Sequence, residues 1–301
     1  MTDDDSTPVS ELRGVTPCSE HGLAAVRVAT ERASGLIYLQ GAHLADWQPR
    51  GEAPVLWMSE RATYAPGKAI RGGVPLCFPW FGPHATRPEY PAHGFARIRQ
   101  FAYRGARLDA QGDAELEFVL ESDSATLSLF PYAFSASLRV AFGQTLTLAF
   151  SVTNRDSRPF EFEEALHSYF SVADVTKAAV HGLEGARYTD KVRNQTLFTE
   201  GHTPLRFDGE TDRVYDSSGT CFIDDELGKR TLRIEKVHSG STVVWNPWAE
   251  RAAQMSDLGT DCWRHLLCVE SANVGESKLS LRPGEAHVAQ VRVSVIRDFQ
   301  R

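Results

Sequence analysis

Six stretches of this chain alternate apolar and polar residues with period two. They are LAAVRVAT (23–30), AELEFVLES (114–122), LTLAFSVTN (146–154), TLRIEKV (231–237), STVVWN (241–246) and HVAQVRVSVI (287–296). Successive strand side chains point to opposite faces, so this pattern suits strands with one buried face. The stretches are rich in Val, Thr, Phe and Leu, and turn clusters such as LDAQGDA, ELGKR and RPGEA separate them. The best amphipathic-helix pattern, AERAAQMSDL at 249–258, is short. The spacing predicts an all-β, antiparallel sandwich or barrel with few short helices. No internal repeat or linker divides the chain, so the expected organisation is a polar lead-in over 1–18 followed by one domain over 19–301.

Composition narrows the function. The formal net charge is −7, with both signs spread along the sequence. That disfavours a nucleic-acid footprint or a membrane-surface patch. The apolar runs are far shorter than a bilayer span. Five cysteines, an odd number without a CxxC pair, suggest neither a disulfide framework nor a zinc knuckle. The segment MTDDDSTPVS has no apolar core of a secretory signal, so a reducing cytoplasm is the expected compartment. His43, His181, His202 and His238 fall at no metal-ligand spacing such as HExxH. With no exposed apolar helix in the pattern, the expected state is a monomer.

Three segments concentrate chemistry. AIRGGVPLCFPWFGPH (69–84) is too broken for a helix, too proline-rich for an inner strand and too aromatic for a disordered linker. It reads as an ordered wall, bracketed by Arg71 and by His93 and Arg97 of AHGFAR. In PFEFEEALHSYF (159–170), Phe160, Phe162, Leu166 and Phe170 share one face of an extended strand; Glu163, His167 and Tyr169 share the other. His167 is therefore expected to face solvent or a cleft. In CWRHLLCVESANVG (262–275), HLLCVE reads as a buried strand and SANVG as a turn, which sets Glu270 at the strand's end. A carboxylate there can have a raised pKa, as suits a general base. Each residue also has a plainer reading: His167 facing solvent, Glu270 paired with Arg264, His93 and Asp212 in turns, Arg71 and Arg97 in structural ion pairs.

In order, IRGGVPLCFPWFG, HGFAR, ALHSYF, DRVY, VVWNPW and CVE resemble the hexose-6-phosphate mutarotase (glucose-6-phosphate 1-epimerase) family of the galactose-mutarotase-like superfamily. The resemblance runs from about residue 20 to residue 296. It implies an antiparallel β-supersandwich with a sugar cleft, and interconversion of the α and β anomers of a hexose 6-phosphate without a cofactor. It implies His167 as general acid and Glu270 as general base, His93 near the sugar ring, Asp212 on a sugar hydroxyl, and Arg71 and Arg97 on the phosphate. Apart from the resemblance, Trp80, Phe81, Trp245 and Trp248 each suit either the core or a sugar face, and Trp248, after the NP turn, is the expected cleft aromatic. Free-sugar mutarotases usually carry a GR…NRI segment where this chain has IRGGVPLCFPWFG, which favours the phosphosugar branch. A free-aldose 1-epimerase, a non-catalytic sugar-phosphate sensor, and a hydrolase using Glu163 or Asp212 as a second carboxylate remain the alternatives.

Overall fold

In the computed structural model, residues 12–297 are described. Every strand pair within its sheets is antiparallel. A nine-stranded sheet runs from Leu205–Arg206 through Ala178–His181, Cys221–Asp225, Arg230–Val237, Ala286–Ile296, Thr145–Asn154, Phe134–Phe142 and Ala114–Glu121 to Ala102–Leu108. An eight-stranded sheet is built from Thr196–Thr199, Arg187–Asp190, Thr211–Asp216, Ser241–Asn246, Leu266–Asn273, Glu164–Leu166 and Leu76–Cys77, with Tyr169–Ser171 also paired to Leu266–Asn273. A four-stranded sheet spans Val15–Glu20 to His43–Pro49. Among the described residues only two short α-helices, Ser124–Leu127 and Trp248–Ala253, accompany them. The architecture is the all-β antiparallel supersandwich that the sequence predicts.

The six period-two stretches form the strands Leu23–Ala29, Ala114–Glu121, Thr145–Asn154, Arg230–Val237, Ser241–Asn246 and Ala286–Ile296. Thr145–Asn154 alternates half-buried and buried positions along its whole length, because one face packs into the core and the other is half-covered. The core joins both large sheets. Phe78 is fully buried and meets Phe134, Phe150 and Phe162 edge-on, with centroids 5.2, 5.9 and 5.6 Å away. The Phe78–Pro79 peptide bond is cis. Gly94 packs so closely on this segment that a Cβ there would lie 2.0 Å from the Phe78 carbonyl oxygen, and its φ is +71°. Glycine alone fits such an approach.

Of the lead-in expected over 1–18, residues 1–11 lie outside the described residues. Val15–Glu20 is already a strand paired with Leu23–Ala29, so the ordered sheet begins before residue 19. The helix at 249–258 is shorter than its pattern, ending at Ala253.

Candidate active site

The eight-stranded sheet carries a cleft of about 1300 Å³ on one face. Strand register decides which side chains reach it. Leu166 pairs with Ser271 and Tyr169 with Cys268. Continuing that register across the two intervening residues sets His167 opposite Glu270, on the same face. Glu270 in turn pairs with Val243, and Val243 with Val214. Two residues along, Asp212 pairs with Trp245, and the register sets Lys191 beside Asp212. Glu163, His167, Tyr169, Lys191, Asp212, Val214, Val243, Trp245 and Glu270 all line the cleft.

The strand through PFEFEEALHSYF is interrupted at 163 and at 167–168, yet the predicted alternation survives. The reason lies in hydrogen bonds to the wall segment: the His167 N–H donates to the Pro75 carbonyl at 3.1 Å, and the Tyr169 N–H to that of Gly73 at 2.8 Å. His167 faces the cleft floor rather than open solvent and is 7% exposed.

Glu270 is placed differently from the sequence expectation. It lies inside the strand Leu266–Asn273, and every residue of that strand is buried. The polar run read as a turn stays extended because its side chains find partners on neighbouring segments. Ser271 Oγ lies 2.6 Å from Ser239 Oγ, and Asn273 Nδ2 donates to Glu164 Oε1 at 3.0 Å and to the His238 carbonyl at 2.8 Å. Arg264 is not its partner; that guanidinium lies 3.8 Å from Asp174.

His167 Nε2 lies 3.4 Å from Glu270 Oε1. His167 Nδ1 and Glu270 Oε2 are buried with no hydrogen-bond partner in the protein. Burial pushes the Glu270 carboxyl well above its usual range, and Asp212 pushes the same way; Lys191 and Arg97 oppose them. Burial also holds the His167 imidazole well below its usual value, with His93, Arg97 and Arg71 adding to the effect. Desolvation thus favours the uncharged form of both groups. The Tyr169 ring stacks on His167, centroids 4.8 Å apart at 11°, and fixes the imidazole plane.

His93 sits at a turn, with φ of +63°, and also lines the cleft. Its Nδ1 accepts the Gly82 N–H at 3.4 Å and lies 3.5 Å from Cys77 Sγ. Burial, then Arg97, Lys191 and Arg71, lower its pKa to about 3. A neutral ring that accepts at Nδ1 carries its proton on Nε2 and is a donor there.

The two arginines differ. Arg71 Nε and Nη2 lie 3.1 and 3.0 Å from Asp257 Oδ2, and its Nη1 donates to the Tyr169 hydroxyl at 2.9 Å. Arg97 donates to the Ala92 carbonyl at 2.8 Å, and among the described residues no carboxylate lies within ion-pair distance of it. Asp212 is in the strand Thr211–Asp216, not in a turn, and its Oδ1 lies 3.6 Å from Lys191 Nζ.

Trp248 does not line the cleft. Its N–H donates to Asn246 Oδ1 at 2.9 Å, its φ is +55°, and its ring packs on Trp263 at 4.3 Å. Starting a helix turns it away from the sheet, and the cleft tryptophan is Trp245, 6.3 Å from the His167 ring. The STVVWN alternation already puts Trp245 on the face of Val243. Lys191 had no such signal, because YTDKVRNQ reads as an exposed hairpin end.

Glu163 is a clamp. Its Oε2 accepts the Phe81 N–H at 2.9 Å and its Oε1 the Gly275 N–H at 2.8 Å. Among the described residues no group of three or more His, Cys, Asp or Glu could hold a metal ion, and no helix is long and apolar enough to cross a membrane.

The fold has known counterparts. The structure matches a galactose mutarotase-like protein from Lactobacillus casei with a TM-score of 0.69, covering 90% of this chain and 100% of that one, a likeness of fold alone at 17% identity. The chain belongs to the aldose 1-epimerase family, whose model matches residues 25–294. It is 38% identical over 260 residues, 85% of each chain, to an Escherichia coli (strain K12) protein provisionally named glucose-6-phosphate 1-epimerase. A provisionally named mutarotase from Salmonella typhimurium has a solved structure with a TM-score of 0.88 and 31% identity, covering 96% of both chains.

Proposed function

We propose that this protein is a hexose-6-phosphate mutarotase, interconverting the α and β anomers of glucose 6-phosphate and related hexose 6-phosphates. We read residues 19–301 as the single unit that does so, with Glu270 and His167 as its acid–base pair. The observation that carries the reading is the buried 3.4 Å contact between these two groups on a cleft floor faced by cations.

Ring opening removes the O1 proton as the C1–O5 bond breaks; the electron pair goes to O5, which takes up a proton. In this reading Glu270 takes the first proton and His167 supplies the second. The pair starts as carboxylate and imidazolium and ends as carboxylic acid and imidazole, holding one proton throughout. Rotation about C1–C2 and closure with both roles reversed give the other anomer. Desolvation favours the uncharged pair, which is the form that accompanies the open aldehyde. The dry floor therefore stabilises the state that lies along the reaction rather than the bound ring. Lys191 and Arg97 favour the carboxylate that begins it. Each positioned proton transfer contributes about 10²–10⁴-fold.

His93 Nε2–H and Asp212 are suited to sugar hydroxyls. Arg97 suits the phosphate, since a dianion of about two charges needs a cation whose own charge is not already matched. Arg71 is largely neutralised by Asp257 and suits orientation more than charge. The hydrolase alternative needs a second carboxylate across a glycosidic bond. Both oxygens of Glu163 are occupied by backbone amides, which weighs against that reading.

The test is to dissolve pure α-glucose 6-phosphate, add protein, and follow the anomer ratio by fast NMR or polarimetry, with glucose in parallel. Acceleration well above that for glucose is expected. Glu270→Gln should abolish it with the fold intact, and Arg97→Ala should weaken mainly the use of the phosphosugar. Full activity in the Glu270 variant would overturn the mechanism.

A further inference from the structure

Lys191 lines the cleft together with Arg71, Arg97, Arg187 and Arg251. It follows the strand Arg187–Asp190, and its backbone N–H donates to the Asp212 carbonyl at 2.8 Å. A lysine beside an exposed hairpin end ordinarily extends into water. This one turns over the cleft, with Nζ 3.6 Å from Asp212 Oδ1 and 4.5 Å from the centroid of the Phe81 ring. A carboxylate on one side and an aromatic face on the other hold the ammonium in place.

The groups around Glu270 come from several segments. They are Cys268 on its own strand, His167 and Tyr169 on the neighbouring one, Asp212, Cys77, Arg97 and Lys191. Glu270 and Asp212 both line the cleft, and the partly exposed Asp212 carboxylate opposes ionisation of the buried Glu270. Lys191 and Arg97 line the same cleft as Glu270, and both cations favour its carboxylate.

We propose that Lys191 is a positioning residue for Glu270: clamped by Asp212 and Phe81, its ammonium offsets the Asp212 carboxylate and lets Glu270 stand ionised beside a bound sugar. The proposal rests on reading Glu270 as the base of the reaction above. Asp212 remains free to accept from a sugar hydroxyl, and Lys191 itself acts through Glu270.

Full-length Lys191→Met and Lys191→Arg are compared with wild type in two ways. One is the kcat/KM profile for α-glucose 6-phosphate from about pH 5 to about pH 9. The other is a carbon NMR titration of the Glu270 carboxyl in protein without substrate. The methionine variant should move the acid limb of the profile and the carboxyl midpoint upward together, by about one pH unit. That is about a tenfold loss on the acid side of the limb, recovered at high pH, with KM little changed. The arginine variant should keep the wild-type profile. If the methionine variant does not fold, Lys191→Gln takes its place. A raised KM for the phosphosugar with an unmoved profile and midpoint would make Lys191 a phosphate contact and overturn the proposal, as would no change in any measure. If wild type accelerates no anomerisation, the mutarotase reading fails by itself. The carboxyl midpoint then still decides: a shift in the methionine variant supports the electrostatic role of Lys191, and its absence overturns it.

Discussion

Tyr169 lies flat against His167 and at the same time accepts a hydrogen bond from Arg71. One side chain therefore couples the His167 imidazole, proposed above as half of the acid–base pair, to a guanidinium at the cleft wall, and the two couplings separate by substitution.

Tyr169→Phe keeps the stacked ring and removes only the hydroxyl. The lost hydrogen bond to a charged donor is expected to cost about 1.5–3 kcal/mol of stability. In kinetics it should raise KM, as Arg71 loses one of its two anchors, with kcat nearly unchanged. Tyr169→Leu also frees the imidazole plane and should lower kcat. Steady-state anomerisation rates on both variants check this, and an equal fall of kcat in both would show that the ring does not orient His167.

Glu163 joins the wall segment to the turn at Gly275. Glu163→Ala leaves two backbone N–H groups without their acceptor and should cost about 1–3 kcal/mol in urea unfolding. The cleft wall then loosens, so KM should rise more than kcat falls. A kcat loss as large as that of Glu270→Gln with KM intact would instead make Glu163 a chemical participant.

His43 is 1% exposed, and neither ring nitrogen has a hydrogen-bond partner in the protein. Burial holds its pKa down to about 3, against 6.5 when unfolded, and Arg97 adds to the effect. Between those values the unfolded chain binds a proton that the native state refuses, so stability is full above about pH 6.5 and falls as pH drops toward 3. The loss attributable to His43 is at most about 1.4 kcal/mol per pH unit. His43→Leu should flatten the acid limb of a stability–pH curve by about one proton. An unchanged slope in denaturant unfolding across that window would show that His43 does not titrate on unfolding.

The fold was legible wherever a strand buries one face, because the alternation is then written in the residues themselves; Thr145–Asn154 is the plainest case. It was less legible for Leu266–Asn273, where both faces are buried and Ser271 and Asn273 are satisfied by segments distant in sequence. Partners that far apart leave no local mark, so Glu270 read as a strand end. For His167, alternation alone gave the face away from the core, toward solvent or a cleft, and the family resemblance singled out the cleft. Lys191 was not legible, since its orientation depends on Asp212 and Phe81. Trp248 misled because the NP turn before it starts a helix rather than delivering the ring to the sheet.

The register that sets His167 opposite Glu270 belongs to two neighbouring strands, whereas Arg97, His93 and Phe81 come from the connecting segments. A slip of either strand by one residue would turn its own member of the pair to the opposite face and split the pair, while insertions in the connections would leave it untouched. In the proposed mechanism, reactivity and sugar preference are therefore inherited separately: new tastes can be grafted at the rim while the proton exchange beneath stays in the backbone's keeping.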